Sequence, residues 1–161
     1  AEKMKHCVSE LMVISNDKKE INLSNIVMYS DIIPGLGPLG GIFTALKHSA
    51  VSHCLVTACD LPFITKNLIV FLCENGTAYD IFAVDAGNGV EPLCAVYSKN
   101  CLPEIENQIN VGNLRITDLM SNVKTKIFYL EKDNRSIKPE VFFNVNTPED
   151  MGKAQQLIKK L

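Results

Sequence analysis

Short apolar runs alternate along the chain with stretches of helical period, and polar or turn-forming residues separate them. An apolar run of four to eight residues bounded by turn signals has the length of a buried strand, whereas a helix needs a longer stretch with apolar positions every three or four residues. The opening stretch, Ala1 to Val8, is polar and helix-like, and Glu10-Leu-Met-Val-Ile-Ser15 follows it as a strand. A second short run, Asn25 to Met28, leads into Asp31-Ile-Ile-Pro-Gly-Leu-Gly-Pro-Leu-Gly-Gly41. Its prolines and glycines predict a loop that opens a helix over Ile42 to His48. His53-Cys-Leu-Val-Thr-Ala-Cys-Asp60 is a continuous apolar run closed by an acid and Leu61-Pro62, and a helix is expected from about Thr65 to Glu74.

Further strands are expected at Asp80 to Val84, Pro92 to Ser98 and Lys126 to Leu130, with helices near Leu102 to Ile109 and Ile116 to Met120. A last strand is read at Val141-Phe-Phe-Asn-Val-Asn146. Thr147-Pro148-Glu149-Asp150 then supplies a hydroxyl at the N-cap, proline at the first helical position and two acids in the first turn. That combination predicts a helix from Pro148 to near the end of the sequence. Alternating strands and helices argue for an α/β layer with a largely parallel sheet and right-handed crossovers. No internal repeat, low-complexity tract or linker divides the 161 residues, so one domain is expected over 1–161.

Composition narrows the partners. A net charge of -2 with scattered Lys and Arg gives no electrostatic footprint for nucleic acid or an anionic membrane. No apolar run approaches the roughly 18 to 20 residues of a membrane span, and no basic-then-apolar signal segment is read, so a cytoplasmic location is expected. The six cysteines, Cys7, Cys54, Cys59, Cys73, Cys94 and Cys101, form no Cys-x-x-Cys pair and lie mostly in apolar runs. They read as buried thiols in a reducing compartment. Cys54 and Cys59 stand an odd number of residues apart on one expected strand, so their sulfurs should face opposite ways.

In open α/β sheets ligands bind beyond the carboxyl ends of the strands, so polar residues just past an apolar run are the candidates. Asp60 is one, and its lone carboxylate fits either a Mg²⁺ ligand, completed by water and substrate phosphates, or an ordinary turn former. Asp31 with Gly35, Gly37, Pro38, Gly40 and Gly41 forms a second group, because glycines let backbone approach a ligand and a helix start offers free N–H groups to an anion. A plain surface turn has the same composition. No Walker A lysine pattern accompanies these glycines.

Asn144 and Asn146 form a third group, two apart on an expected strand and so on one side of it, where their amides suit phosphate, ribose or a polar heterocycle, or simple loop chemistry. Glu91, just before a strand, fits a turn or a pocket lining. His6, His48 and His53 have no partner at catalytic spacing, no Gly-x-Ser-x-Gly elbow occurs, and Arg115 reads as a solvated helix start.

Four segments, Pro34-Gly-Leu-Gly-Pro-Leu-Gly-Gly-Ile42, Thr57-Ala-Cys-Asp-Leu-Pro-Phe63, Glu91-Pro-Leu-Cys-Ala-Val-Tyr97 and Asn144-Val-Asn-Thr-Pro-Glu-Asp150, stand in an order and at a spacing that resembles the molybdenum cofactor guanylyltransferases. The likeness covers nearly the whole chain. The Asp-Leu-Pro element is shared with many nucleotidyltransferases, while the glycine loop and the terminal Asn-x-Asn-Thr-Pro-Glu are more specific.

The resemblance implies a Rossmann-like three-layer nucleotidyltransferase fold with a mostly parallel sheet. It implies transfer of GMP from GTP to molybdopterin, giving the guanine dinucleotide cofactor and pyrophosphate. By the same resemblance Asp60 corresponds to the Mg²⁺ ligand and catalytic residue, and Asp31, Gly35, Gly37, Pro38, Gly40, Gly41 and Asp60 to the nucleotide pocket. Asn144 and Asn146 correspond to the molybdopterin side. Cofactor-assembly proteins and molybdoenzymes are the implied partners.

The family's opening strand and Leu-Ala-Gly-Gly-x-x-x-Arg-Met-Gly-like loop, which grip the triphosphate, have no match in this sequence. The first residues resemble the helix that follows that loop, so the domain is expected to lack its first strand. A cytidylyltransferase acting on molybdopterin or on a sugar or polyol phosphate, and an inactive nucleotide-binding homologue, are the competing expectations.

Overall fold

In the computed structural model, residue 4 and residues 7–17, 26–130 and 137–158 are described. Two short parallel strands, β1 (Met12–Ile14) and β2 (Val27–Tyr29), form one small sheet. A larger sheet is built from β3 (His53–Thr57), β4 (Ile81–Asp85), β5 (Val90–Ser98) and β6 (Thr125–Tyr129) in the order β3-β5-β4-β6. β5 runs antiparallel to both β3 and β4, while β4 and β6 are parallel, so β3, β4 and β6 share one direction and β5 alone opposes them.

The helices are α1 (Gly37–His48), α2 (Lys66–Gly76), α3 (Leu102–Asn110), α4 (Ile116–Asn122) and α5 (Pro148–Ile158). Strand alternation divides the larger sheet into two apolar faces. Ile81 and Ala83 of β4, with Ala95 and Tyr97 of β5, pack against Leu39, Ile42 and Leu46 of α1, Ile105 of α3 and Leu119 of α4. Phe82, Val84, Cys94 and Val96 face the other way, onto Leu68, Phe71 and Leu72 of α2 and onto Val141 and Phe142. Helices therefore cover both faces, which gives the expected three-layer α/β architecture. Leu68, Ile69 and Leu72 are fully buried, and each such side chain contributes about 1.5–3 kcal/mol of burial free energy.

Most expected elements are present within a residue or two, and three differences have physical reasons. The expected helix at Ala1 to Val8 lies largely outside the described residues. α1 begins at Gly37, five residues before the expected Ile42, because Pro38 occupies its first turn, where proline is pre-set for a helix. Gly40 and Gly41 are thus helical, and Gly40 is required by packing: a Cβ there would meet the Leu36 Cβ at 2.9 Å. The expected strand from Val141 to Asn146 is instead a 3-10 turn at Pro139–Phe142 followed by an irregular segment. Val145 N–H donates to the Asp60 carbonyl at 3.0 Å, a single bond and too little for a ladder.

The reversal of β5 follows from its connection to β4. Asp85 Oδ1 accepts from the N–H groups of Gly87 and Gly89 at 2.8 and 3.3 Å, and both glycines hold positive φ, 97° and 114°. The chain turns back in four residues, which only antiparallel strands permit. Among the described residues no helix is long and apolar enough to cross a membrane.

Candidate functional site

β3 ends at Thr57, but Ala58 N–H still donates to the Leu93 carbonyl at 2.8 Å, so the strand's path is held until the chain turns at Cys59 and Asp60. The antiparallel neighbour β5 begins nearby at Val90, with Glu91 its second residue. Between them lies a cleft of about 110 Å³ whose polar lining is Asp60, Glu91 and Asn144 and whose walls include Leu61 and Pro92. Three segments distant in sequence meet there, and the Asp60–Val145 backbone bond is the fastening that brings Asn144 in.

The electrostatics are those of a gathered set of oxygen donors. Asp60 Oδ1 is buried and has no hydrogen-bond partner. Burial first, and then the Asp60 and Asp85 carboxylates, push the Glu91 carboxyl above its ordinary value of 4.5. A buried, unpartnered carboxylate oxygen beside a second carboxyl is an arrangement that a divalent cation relieves. Carboxylate and amide oxygens suit Mg²⁺, which binds through one or two carboxylates and keeps water and phosphate in its other positions. Among the described residues no group of three or more His, Cys, Asp or Glu could hold a metal, so the fit is to that open mode rather than to a closed protein cage. The cleft is smaller than the roughly 300–1,000 Å³ of ligand pockets and does not house a nucleotide by itself.

Asp31 does not line this cleft; it follows the end of β2 in the small sheet. α1 packs on both β1 and β3 and so bridges the two regions. Gly35 and Gly37 have φ of 82° and 58°, a left-handed backbone that favours glycine. α1 starts without a side-chain cap from Leu36 and with Pro38, which has no N–H, in its first turn. Asn146 does not line the cleft; its backbone N–H donates to Asp150 Oδ2 at 3.3 Å, within the cap of α5.

Sequence reasoning missed two features. Asn16, just past β1, donates from Nδ2 to Asp31 Oδ2 at 2.8 Å, and the rule that found Asp60 would have found it, since it is a polar residue directly beyond an apolar run. The spacing Gly35, Gly37, Gly40 is also the Gly-x-Gly-x-x-Gly of dinucleotide loops, a weak signal alone; in this chain it shapes the entry to α1.

The cysteines divide. Cys94 and Cys101 are buried, and burial first, then Glu91 and Asp80 respectively, push their thiols up to about 12. Cys59 is exposed in the turn beyond β3, so it does not share a strand with Cys54 as expected.

Residues 1–125 match the family described as the MobA-like NTP transferase domain. The chain belongs to that family. A probable molybdenum cofactor guanylyltransferase of Pelotomaculum thermopropionicum is 36% identical over 148 residues, covering 89% of this chain and 71% of the relative. The solved molybdopterin-guanine dinucleotide biosynthesis protein A of Archaeoglobus fulgidus superposes with a TM-score of 0.79 at 27% identity, over 93% of this chain and 79% of that one. The 2-C-methyl-D-erythritol 4-phosphate cytidylyltransferase of Thermus thermophilus shares the fold, with a TM-score of 0.70 at 12% identity over 96% of this chain and 84% of that one. The MobA-like match, residues 1–125, includes both Asp31 and Asp60.

Proposed function

We propose that this MobA-like NTP transferase joins GMP from GTP to molybdopterin, forming molybdopterin guanine dinucleotide and releasing pyrophosphate. The observation that carries the reading is the Asp60–Glu91–Asn144 cleft in a chain 36% identical to a probable molybdenum cofactor guanylyltransferase. A terminal phosphate oxygen of molybdopterin attacks the α-phosphorus of GTP, a new P–O bond forms, and the bond from the α-phosphorus to the leaving pyrophosphate breaks. The attacking phosphate is already anionic near neutral pH, so no residue need remove a proton from it.

Asp60 would hold Mg²⁺ through its unpartnered Oδ1, with Glu91 beside it. The ion, when bound, neutralises charge on the phosphates. Asp31, Gly35, Gly37, Pro38, Gly40 and Gly41 form the nucleotide side. Asn144, with Asn146 next along the same segment, forms the molybdopterin side. Catalysis on this reading is alignment and charge neutralisation, not general-base chemistry.

The 161 residues act as one nucleotidyltransferase domain and contain no Leu-Ala-Gly-Gly loop for the triphosphate. The residues named here serve the metal, nucleotide and molybdopterin ends. Its setting is the cytoplasm, with cofactor-assembly proteins and molybdoenzymes as partners.

The test is pyrophosphate release by the purified protein with molybdopterin, Mg²⁺ and either GTP or CTP. Release with GTP alone is expected. Release with CTP alone assigns the cytidylyltransferase activity instead, and release with neither, while nucleotide still binds, assigns an inactive homologue.

A further inference from the structure

Asn16 and Asp31 are bound to each other twice. Asn16 Nδ2 donates to Asp31 Oδ2 at 2.8 Å, and Asn16 Oδ1 accepts from the Asp31 backbone N–H at 3.0 Å. The next amide, that of Ile32, donates to Thr44 Oγ1 at 3.0 Å, and Thr44 is fully buried in α1. The backbone at Asp31 is therefore held from the end of β1 and from α1, just before the loop that leads to Gly35 and Gly37. With Oδ2 and the backbone N–H both engaged, Asp31 Oδ1 remains buried and without a partner.

The chemistry of the contact restricts which residue can make it. A backbone N–H and a carboxylate oxygen on the same residue call for an acceptor and a donor side by side, which a carboxamide provides. An aspartate at position 16 would present two acceptors and repel the carboxylate. A serine would supply one group where two are needed. The buried, unpartnered Oδ1 loses its hydration with nothing returned by the protein, a cost that a donor from a bound molecule offsets.

We propose that Asn16 is a positioning residue for the nucleotide site: it holds the Asp31 carboxylate by Oδ2 and the backbone, leaving Oδ1 as the acceptor for a hydrogen-bond donor of the nucleotide. This rests on the reading that Asp31 belongs to the nucleotide pocket. Asn16 itself contacts no substrate and acts through Asp31 alone.

The test measures GTP affinity in the presence of Mg²⁺, and the melting temperature without nucleotide, for Asn16→Ala, Asn16→Asp, Asp31→Ala, Asn16→Ala/Asp31→Ala and the exchanged pair Asn16→Asp/Asp31→Asn. Asn16→Ala and Asp31→Ala are each expected to weaken GTP roughly tenfold, the loss of about one charge-assisted hydrogen bond. Their combination should be no weaker than Asp31→Ala alone, because Asn16 acts through Asp31. Asn16→Asp sets two carboxylates against each other and weakens GTP further. The exchanged pair re-forms both bonds, the side-chain bond with donor and acceptor swapped and the backbone N–H of position 31 still donating, and it keeps an amide oxygen at position 31, so it should bind GTP within about threefold of the unaltered protein.

If Asp31→Ala weakens GTP and Asn16→Ala does not, the positioning role is wrong and the nucleotide reading of Asp31 stands. If neither weakens GTP, both fall. A lower nucleotide-free melting temperature for Asn16→Ala with unchanged GTP affinity makes the contact purely structural and overturns the proposal.

Discussion

The Val145 backbone N–H donates to the Asp60 carbonyl oxygen at 3.0 Å, so the segment carrying Asn144 is fastened to the turn carrying the acid. The bond uses main-chain atoms only. The Asp60 carboxyl and the Asn144 amide are thereby left to the cleft, and either can be altered without cutting the fastening.

Replacing Asp60 by Asn keeps the side-chain shape and removes the charge. Transfer from GTP with Mg²⁺ should fall by about a hundredfold or more, the scale of losing one preorganised charge-stabilising group. The melting temperature without ligands should hold or rise, because Asp60 Oδ1 has no partner to lose. A near-normal rate at ordinary Mg²⁺ concentration would remove Asp60 from the metal role.

Asn144→Ala/Asn146→Ala should weaken molybdopterin binding by about 1–3 kcal/mol for each amide that is directly paired, and leave GTP affinity unchanged. Of the two single variants, Asn144→Ala should carry the larger loss, since Asn144 lines the cleft. Stability should change little, because the bond from Asn146 into the α5 cap is made by its backbone N–H. A lowered melting temperature with unchanged affinities for both ligands would mark the pair as structural.

Gly76 ends α2 against β5, and a Cβ there would meet the Val96 Cβ at 2.7 Å and its two methyl carbons at 2.8 and 2.9 Å. Gly76→Ala should therefore cost about 1–3 kcal/mol by overpacking, read from the urea midpoint. Adding Val96→Ala should make the double variant more stable than the sum of the two single losses predicts. Additive losses would show that the helix end shifts away instead.

The Asp150 carboxyl is held below its ordinary value of 3.8, chiefly by the Thr147 hydroxyl and then by the backbone N–H groups of Asn146 and Thr147. A folded-state value below the unfolded one means that this contribution to the α5 cap is fully present above pH 3.8 and is lost as pH falls through the lowered value. The amide chemical shifts of Asn146 and Thr147 should titrate below that pH, and Asp150→Asn should abolish the titration. A transition above 3.8 would give the shift the opposite sign.

Features set by near neighbours in the chain were legible in the sequence. Thr147 caps α5 as its spacing predicts: Asp150 N–H donates to Thr147 Oγ1 at 3.1 Å, and Thr147 N–H donates back to Asp150 Oδ2 at 3.0 Å. Asp60 is legible for a similar reason, since an acid closing an apolar run marks a strand end wherever the strand lies. The Gly87-Asn-Gly89 turn that reverses β5 was equally local. A hairpin there could have been read from the glycines, and the antiparallel strand with it.

The sequence by itself determined most of the strands and helices, though not the irregular segment after Phe142, and it determined where α5 begins and that Asp31, Asp60 and Asn144 merit attention, because period, capping and turn chemistry are properties of a few adjacent residues. Only the tertiary structure decided that Glu91 and Asn144 join Asp60 in one cleft while Asn146 does not line it. It alone decided that Asn16 braces Asp31 from 15 residues away. Those choices depend on strand order, on one backbone bond from Val145, and on which atoms burial leaves without partners. All three arise only when segments distant in the chain are packed together.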